Sequence, residues 1–187
     1  MALASRHPGA IILPNFPYKS QRDNLHNPSG SCNVTSIAMC LWFLGIRGDG
    51  SEGGQLEDQM YVRCLQRDWS RHTPDGLKAV AESYGGGIYD KFTEFGTLDM
   101  IRAAIDEGIP CVLHGYFTLY GHVLTVKGYD ARGLIVNDPW GEYYPGGYDT
   151  SVSGENLHYS NGMIARLCSP ESIGNPSNIF LHRIGRK

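Results

Sequence analysis

The sequence predicts an α+β fold in which an N-terminal helical half packs against a C-terminal antiparallel β-sheet. Apolar residues with helical spacing dominate residues 32–107. Short β-rich runs broken by glycine and aspartate begin only after Pro110. The 187 residues suit one domain with a substantial core. We therefore predict a single domain over residues 1–187, with a cleft between its two halves.

The first helix is predicted over residues 32–44, where Gly45 ends it. Proline interrupts the stretch before it, so residues 1–31 are predicted to be irregular, with 1–16 as an N-terminal segment. Apolar residues cover several faces of the helix, which predicts a central, buried position. The residues with helical spacing are Val34, Ile37, Ala38 and Leu41.

Three further helices and several strands follow. The helices are predicted over 55–68, 74–84 and 97–107, the second beginning with an N-cap residue and a proline. Strands are predicted over 111–117, 122–129 and 133–137, with a closing strand over 178–184. Between them, residues 143–161 are predicted to form a long loop and 162–167 a short helix.

Composition and charge exclude several classes of protein. The formal net charge is −3, and no run of lysine or arginine occurs, which argues against a nucleic-acid partner. The five cysteines are an odd number without Cys-x-x-Cys spacing, so reduced thiols are expected, with no metal site and no cofactor. No feature of the sequence indicates an oligomeric state.

Two further expectations concern location. No apolar stretch approaches the roughly 20 residues that cross a bilayer, so no membrane span is expected. The apolar block near the N-terminus is too short for a signal peptide. We expect synthesis and retention in the cytoplasm, unless something other than a signal peptide releases the protein.

Cys32 is the candidate nucleophile. It is predicted to lie in the first turn of a helix, where unpaired backbone N–H groups and the positive end of the helix dipole favour a thiolate. The small residues before it leave room for a substrate backbone. The other cysteines lie among apolar neighbours and are interpreted as structural: Cys40, Cys64, Cys111 and Cys168.

His122 and Asp138 are the candidate base and its orienting carboxylate. If residues 122–129 and 133–138 form a hairpin in which Gly128 faces Arg132, then His122 faces Asp138 at the open end. An aspartate beside the imidazole would fix its tautomer and orientation. His114, on the preceding strand, is the alternative base.

Two more residues complete the candidate site. The side-chain amide of Gln21, with the backbone N–H of Cys32, is a candidate donor to the oxyanion of a tetrahedral intermediate. Trp140 is a candidate shield for the His–Asp hydrogen bond, or an ordinary core aromatic.

Three motifs resemble those of papain-like cysteine peptidases, and among these the bacteriocin-processing-peptidase-like family. Tyr-Lys-Ser-Gln-Arg-Asp at 18–23 resembles the glutamine motif of that family. Ser-Cys-Asn-Val-Thr-Ser-Ile-Ala-Met at 31–39 is similar to its Cys-Gly-Pro-Thr-Ser-Leu-Ala-Met nucleophile helix. Gly-His-Val at 121–123 resembles the segment of that family that carries the catalytic base. Val-Asn-Asp-Pro-Trp-Gly at 136–141 resembles the segment that carries the third residue of its triad.

The resemblance implies a papain-like fold and metal-free thiol hydrolysis of peptide or isopeptide bonds. It assigns Cys32 as nucleophile, His122 as base, Asp138 as orienter and Gln21 as oxyanion donor. The transporter segments of some relatives are absent from this sequence, so a stand-alone member is expected. Stand-alone members resemble phage or bacterial enzymes that cut peptidoglycan peptides, which suggests an endolysin-like substrate.

One departure and two alternatives stand beside this reading. Asn33-Val34 replaces the Gly-Pro that follows the nucleophile in the family motif, which predicts a changed cleft beside Cys32. The same residues would also suit a deamidase or acyl transferase that acts on a protein target. An inactive binding module on the same fold is the alternative outside enzymes.

Overall fold

The computed structural model describes residues 9–169 and 177–187, and its helices form where the sequence predicts them. Helix α1 spans Cys32–Phe43, and the next two helices pack against it and each other. Thr73 caps the third helix by accepting a hydrogen bond from the Gly76 N–H, with proline as its first residue. The remaining helices are α2 Leu56–Gln66, α3 Pro74–Glu82, α4 Leu98–Asp106 and α5 Asn161–Cys168.

Antiparallel strands form an eight-stranded sheet with the central order β2-β10-β4-β5-β6-β9. Strand β1 also pairs with β5, and β3 with β10. The sheet strands are β1 Ile11–Ile12, β2 Ile88–Asp90, β3 Thr93–Gly96, β4 Cys111–Gly115, β5 His122–Tyr129, β6 Gly133–Asn137, β9 Leu157–Ser160 and β10 Ile179–Arg186. The predicted α+β arrangement, with its first helix on an antiparallel sheet, is confirmed.

The prediction of a long loop over 143–161 is wrong. Glu142–Tyr144 and Gly147–Asp149 form a two-stranded hairpin, β7–β8, and β9 then pairs with β6 at the edge of the main sheet. These strands have only three or four residues, too few to show a clear apolar alternation. Strands β1 to β3 were not predicted for the same reason. Residues 1–8 of the predicted irregular segment lie outside the described residues.

The predicted register of the β5–β6 hairpin is also wrong. Val126 lies opposite Val136, rather than opposite Leu134, and the register shifts again before Gly128 faces Ile135. A β-bulge at Lys127 accounts for this second shift, of one residue between Val126 and Gly128, since it adds one residue to β5. Near the site the error is two residues, and a shift of two keeps each side chain on its face of the sheet. His122 and Asp138 are therefore diagonal neighbours on one face.

Helix α1 is buried along most of its length and lies against β5. Residues 33 to 41 of this helix are buried, and Val34, Ile37 and Leu41 have no exposed surface. Two polar contacts fix the helix on the strand: the Ser36 hydroxyl donates to the Val123 carbonyl, and the Thr125 hydroxyl donates to the Ser36 carbonyl, both at 3.0 Å. In the described part of the chain, no helix has the length and apolar character needed to cross a membrane.

Candidate active site

Cys32 is the first residue of α1 and lies partly exposed at the edge of a cleft. The Ser31 hydroxyl ties the turn before it to the carbonyls of His26 and Asn27 at 2.9 and 2.8 Å. Burial alone would raise the pKa of the Cys32 thiol, but the neighbouring His122 and a backbone hydrogen bond from Val123 lower it below its ordinary value. Cys32 is thus set towards the thiolate.

The other four cysteines have the opposite electrostatic environment. Burial raises the pKa of Cys64 to about 11, and that of Cys111 and of Cys168 to about 12. The pKa of Cys40 is also raised, by burial and by its neighbours Cys111 and Asp90. These thiols are protonated at neutral pH, as the structural interpretation requires.

His122 is the first residue of β5 and joins Cys32 to Asp138. Its Nε2 lies 2.7 Å from Oδ1 of Asp138, which leaves Nδ1 for the hydrogen bond that it also forms with Cys32. Burial would lower the pKa of His122, but the carboxylate and the thiolate together raise it to about 10. The lowered pKa of the thiol and the raised pKa of the imidazole both favour a thiolate–imidazolium pair.

Asp138 is fully buried, and its carboxylate accepts four hydrogen bonds. Its Oδ1 accepts from His122 and from the Trp140 backbone N–H at 3.0 Å. Its Oδ2 accepts from the hydroxyls of Tyr148 and Tyr159, each at 3.0 Å. Burial and the adjacent carboxylate raise the pKa of both tyrosines, so both remain donors. These contacts fix the carboxylate that holds the imidazole.

Sequence reasoning missed both tyrosines. They lie in the segment predicted as a loop, and only its richness in tyrosine gave a signal. Tyr148 and Phe117 also contact the His122 ring edge-on, with centroids 5.4 and 6.0 Å away. The aromatic rings that contact the imidazole edge-on are those of Phe117 and Tyr148. Trp140 is half-buried and lines the cleft.

Gln21 lies in a short 3₁₀ helix, Gln21–Asp23, and its side chain faces the same cleft as Cys32. Its Nε2 donates to the Pro28 carbonyl at 2.8 Å, which leaves a second N–H on that nitrogen. Its backbone N–H donates to the Pro139 carbonyl at 2.9 Å. The 3₁₀ helix that carries Gln21 is therefore hydrogen-bonded to the turn that follows Asp138.

His114, the alternative base, belongs to a separate chain of side chains. Its Nε2 lies 3.0 Å from Nε2 of His182, whose Nδ1 lies 2.6 Å from Oδ2 of Asp90. Burial and the adjacent His182 lower the pKa of His114 to about 3, so it is neutral at pH 7 and a weak base. His114 also lines the cleft, but it is His122 that hydrogen-bonds to Cys32.

The cleft has a volume of about 730 Å³ and opens over Cys32. One wall comes from the helical half and includes Gln21, Gly30, Asn33 and Arg71. The opposite wall comes from the sheet and its loops. Its residues include His114, Tyr116, Tyr120, His122, Trp140 and Phe180. The site thus lies between the two halves of the domain, where an extended peptide has access to the sulfur.

Comparisons with known proteins agree with this architecture. The fold is similar to that of a candidate C39-like peptidase from Bacillus anthracis, with a TM-score of 0.59 and 16% identity over 95% of this chain and 98% of that one. A double-glycine motif protease from an AMS/PCAT transporter, solved with a leader peptide, has a TM-score of 0.46 and 17% identity over 82% of this chain and 84% of that one. No curated protein matches the chain. The model of the Peptidase_C39 like family matches residues 13–159. The chain therefore belongs to the Peptidase_C39 like family, whose name indicates a cysteine peptidase.

Proposed function

We propose that the protein hydrolyses peptide or isopeptide bonds with Cys32 as nucleophile, His122 as general base and acid, and Asp138 as the group that orients His122. The observation that carries the proposal is the coupling of Cys32 and His122. The pKa of the thiol is lowered by His122, and that of the imidazole is raised by Asp138 and by Cys32. A thiolate beside an imidazolium is the reactive form of a cysteine peptidase.

The geometry supports a two-step reaction. The Cys32 thiolate attacks the carbonyl carbon of the scissile bond, and the oxyanion accepts hydrogen bonds from the Cys32 backbone N–H and the free N–H of Gln21. His122 then gives its proton to the leaving amine as the C–N bond breaks, which leaves a thioester on Cys32. In the second step His122 takes a proton from water, the hydroxide attacks the thioester, and the thiol is released with a carboxylic acid product.

The proposed substrate is a peptide or isopeptide bond in cell-wall peptidoglycan. The support is the resemblance to stand-alone lytic enzymes together with the cleft of about 730 Å³ over Cys32. Purified cell wall and a generic unfolded protein, digested side by side, test this assignment. New termini in the wall peptides are expected. Cleavage of the protein alone would contradict the cell-wall substrate and keep the peptidase.

A Cys32→Ala variant tests the chemistry itself. Its fold, followed by circular dichroism, is expected to be unchanged because Cys32 is partly exposed, whereas hydrolysis should vanish. Cys64→Ser is the matched control, since that thiol is buried, has a raised pKa and lies outside the cleft. Iodoacetamide should alkylate wild-type Cys32 faster than free cysteine at pH 7. Turnover in the Cys32→Ala variant would remove Cys32 from the mechanism.

Mass spectrometry of the products separates hydrolysis from the related transfer reactions. Chain cleavage supports the peptidase. Conversion of a substrate glutamine to glutamate without cleavage, or addition of an acyl group, would overturn hydrolysis and leave the same three residues acting as a deamidase or acyl transferase.

A further inference from the structure

Among the described residues, the cleft is lined by basic side chains and by no carboxylate. No aspartate or glutamate of the described part of the chain lines it, whereas Arg71, His72 and His114 do. Burial and the neighbouring Arg71 lower the pKa of His72, so this residue is neutral at pH 7. His114 is neutral as well, and the charge of His122 faces the Asp138 carboxylate and the Cys32 sulfur. Arg71 therefore carries the uncompensated charge of the described cleft.

Arg71 is held against both neighbours of the nucleophile. Its Nη1 donates to the carbonyl of Gly30, two residues before Cys32, and lies 3.3 Å from Oδ1 of Asn33, the residue after Cys32. In return, the Asn33 Nδ2 donates to the Arg71 carbonyl at 2.8 Å. The guanidinium also lies over the Tyr61 ring, 4.7 Å from its centroid. These contacts fix the position of the charge beside the sulfur.

The contacts also give a physical reason for the departure at Asn33. Glycine occupies this position in the family motif that the nucleophile helix resembles, and glycine has no side chain with which to hold an arginine. Asn33 is buried, and its amide serves Arg71 through both its oxygen and its nitrogen. The changed residue after the nucleophile thus adds a positioned cation to the cleft.

The remaining donors of Arg71 have no acceptor in the part of the protein that the structure describes. Within the described residues, no carboxylate forms an ion pair with Arg71, and its Nε and Nη2 donate to no protein group. A guanidinium presents parallel N–H groups that match the two oxygens of a carboxylate. Within the described residues the guanidinium has no ion-pair partner and the cleft lining holds no acid, which favours a negatively charged ligand.

We infer that Arg71, positioned by Asn33, binds a substrate carboxylate next to the scissile bond. The inference rests on the proposed function and specifies its substrate as a peptide with an acidic side chain or a free C-terminal carboxylate beside the bond that is cut. Arg71 is a specificity residue in this arrangement and takes no part in bond breaking.

Two alkylating reagents of similar size test the inference without a known substrate. Iodoacetate carries a carboxylate and iodoacetamide does not, so the ratio of their rates with Cys32 reports the local charge. The iodoacetate rate divided by the iodoacetamide rate should be higher for Cys32 than for a neutral model thiol, N-acetylcysteine amide. This ratio should fall about fivefold in Arg71→Gln, as loss of one nearby charge predicts. Arg71→Lys should keep most of the ratio. Sodium chloride at high concentration should lower the wild-type ratio by screening.

Arg67→Gln is the control for net charge, because Arg67 is exposed and lies outside the cleft. This variant should have the wild-type ratio. If Arg71→Gln does not fold, Asn33→Gly replaces it, since it keeps the arginine but removes the side chain that holds it, and its ratio should also fall. An unchanged ratio in the folded variant, with fast iodoacetamide reaction, would overturn the role of Arg71 and leave the peptidase intact. Slow iodoacetamide reaction in the wild type would instead contradict the proposed function.

A peptide library distinguishes the two sources of the carboxylate. Wild-type products should be enriched in aspartate or glutamate beside the cut, and Arg71→Gln should lose this enrichment. If the carboxylate is that of the chain end, amidation of the peptide C-terminus should suppress cleavage instead. Cleavage that is indifferent to both changes, or that prefers basic residues beside the cut, would overturn the inference.

Discussion

The hydroxyl of Thr125 donates a hydrogen bond to the backbone carbonyl of Ser36, with 3.0 Å between the two oxygens. Thr125 lies three residues after His122 on β5, and Ser36 lies one helical turn after Cys32 on α1. Both residues are fully buried. The contact therefore fixes the strand that carries the imidazole against the helix that carries the thiol.

Thr125→Val tests the importance of this contact. Valine keeps the shape of threonine but cannot donate, so we expect the free energy of unfolding to fall by about 1 kcal/mol. Hydrolysis should fall by about tenfold, because small displacements of reacting groups lower the rate steeply. Urea unfolding and kcat measure the two effects. Thr93→Val, on the distant strand β3, is the control. Wild-type behaviour of Thr125→Val in both assays would contradict the structural role.

The pH dependence of hydrolysis follows from the ion pair. The pKa of Cys32 is lowered from the ordinary thiol value of 9.0, so its thiolate persists to a lower pH than that of a free thiol. We therefore expect activity at neutral pH. As the pH rises through the His122 pKa of about 10, the imidazolium loses the proton that the leaving amine needs. We expect kcat/KM to fall on this alkaline side. In His122→Gln, the midpoint of Cys32 alkylation should move to higher pH, and a midpoint that stays in place would contradict the pairing.

Tyr148 and Tyr159 form a natural matched pair. Each hydroxyl donates to Oδ2 of Asp138, but that of Tyr159 also accepts from the Tyr143 backbone N–H at 2.9 Å. Tyr148→Phe should lower the free energy of unfolding by about 1–3 kcal/mol, the range for a hydrogen bond to a charged group. Tyr159→Phe should lower it further, because it also leaves a backbone donor without its partner. Thermal unfolding compares the two variants, and equal or reversed losses would refute this ordering.

The choice between His122 and His114 as base is tested by changing each to glutamine. His122→Gln should lower kcat by about 10³-fold, within the range for loss of a general acid–base group. The kcat of His114→Gln should stay within about tenfold of the wild type. At pH 7 His114 is a neutral imidazole, not the imidazolium needed to protonate the leaving amine. The reverse order of effects would transfer the role of base to His114.

Gln21→Glu tests the proposed oxyanion donor. Glutamate has nearly the same shape but offers a negatively charged oxygen where the amide offers N–H, so it repels the oxyanion. We expect kcat to fall by about 10²–10³-fold, as for loss of an oxyanion donor, with little change in the alkylation of Cys32 by iodoacetamide. Gln55→Glu is the control, because it makes the same change at a glutamine outside the cleft. Wild-type kcat in Gln21→Glu would exclude the role.

The motifs and the longer elements could be read from the sequence because their signals are local. Helix α1 and strands β5 and β6 each show their apolar pattern within a few residues. The three-residue strands β7 and β8 contain too little pattern, and they were taken for loop. The position of the bulge at Lys127 could not be read from the sequence, because register depends on what the partner strand presents.

The sequence by itself determined the α+β fold, the family motifs and the candidates Cys32, His122, Asp138 and Gln21, since each depends on residue type and spacing along the chain. Only the tertiary structure decided that Tyr148 and Tyr159 donate to Asp138, that His114 belongs to a different hydrogen-bonded chain, and that Asn33 holds Arg71 beside the sulfur. These contacts join residues far apart in the chain, and their partners are chosen by packing in three dimensions, which local periodicity does not record.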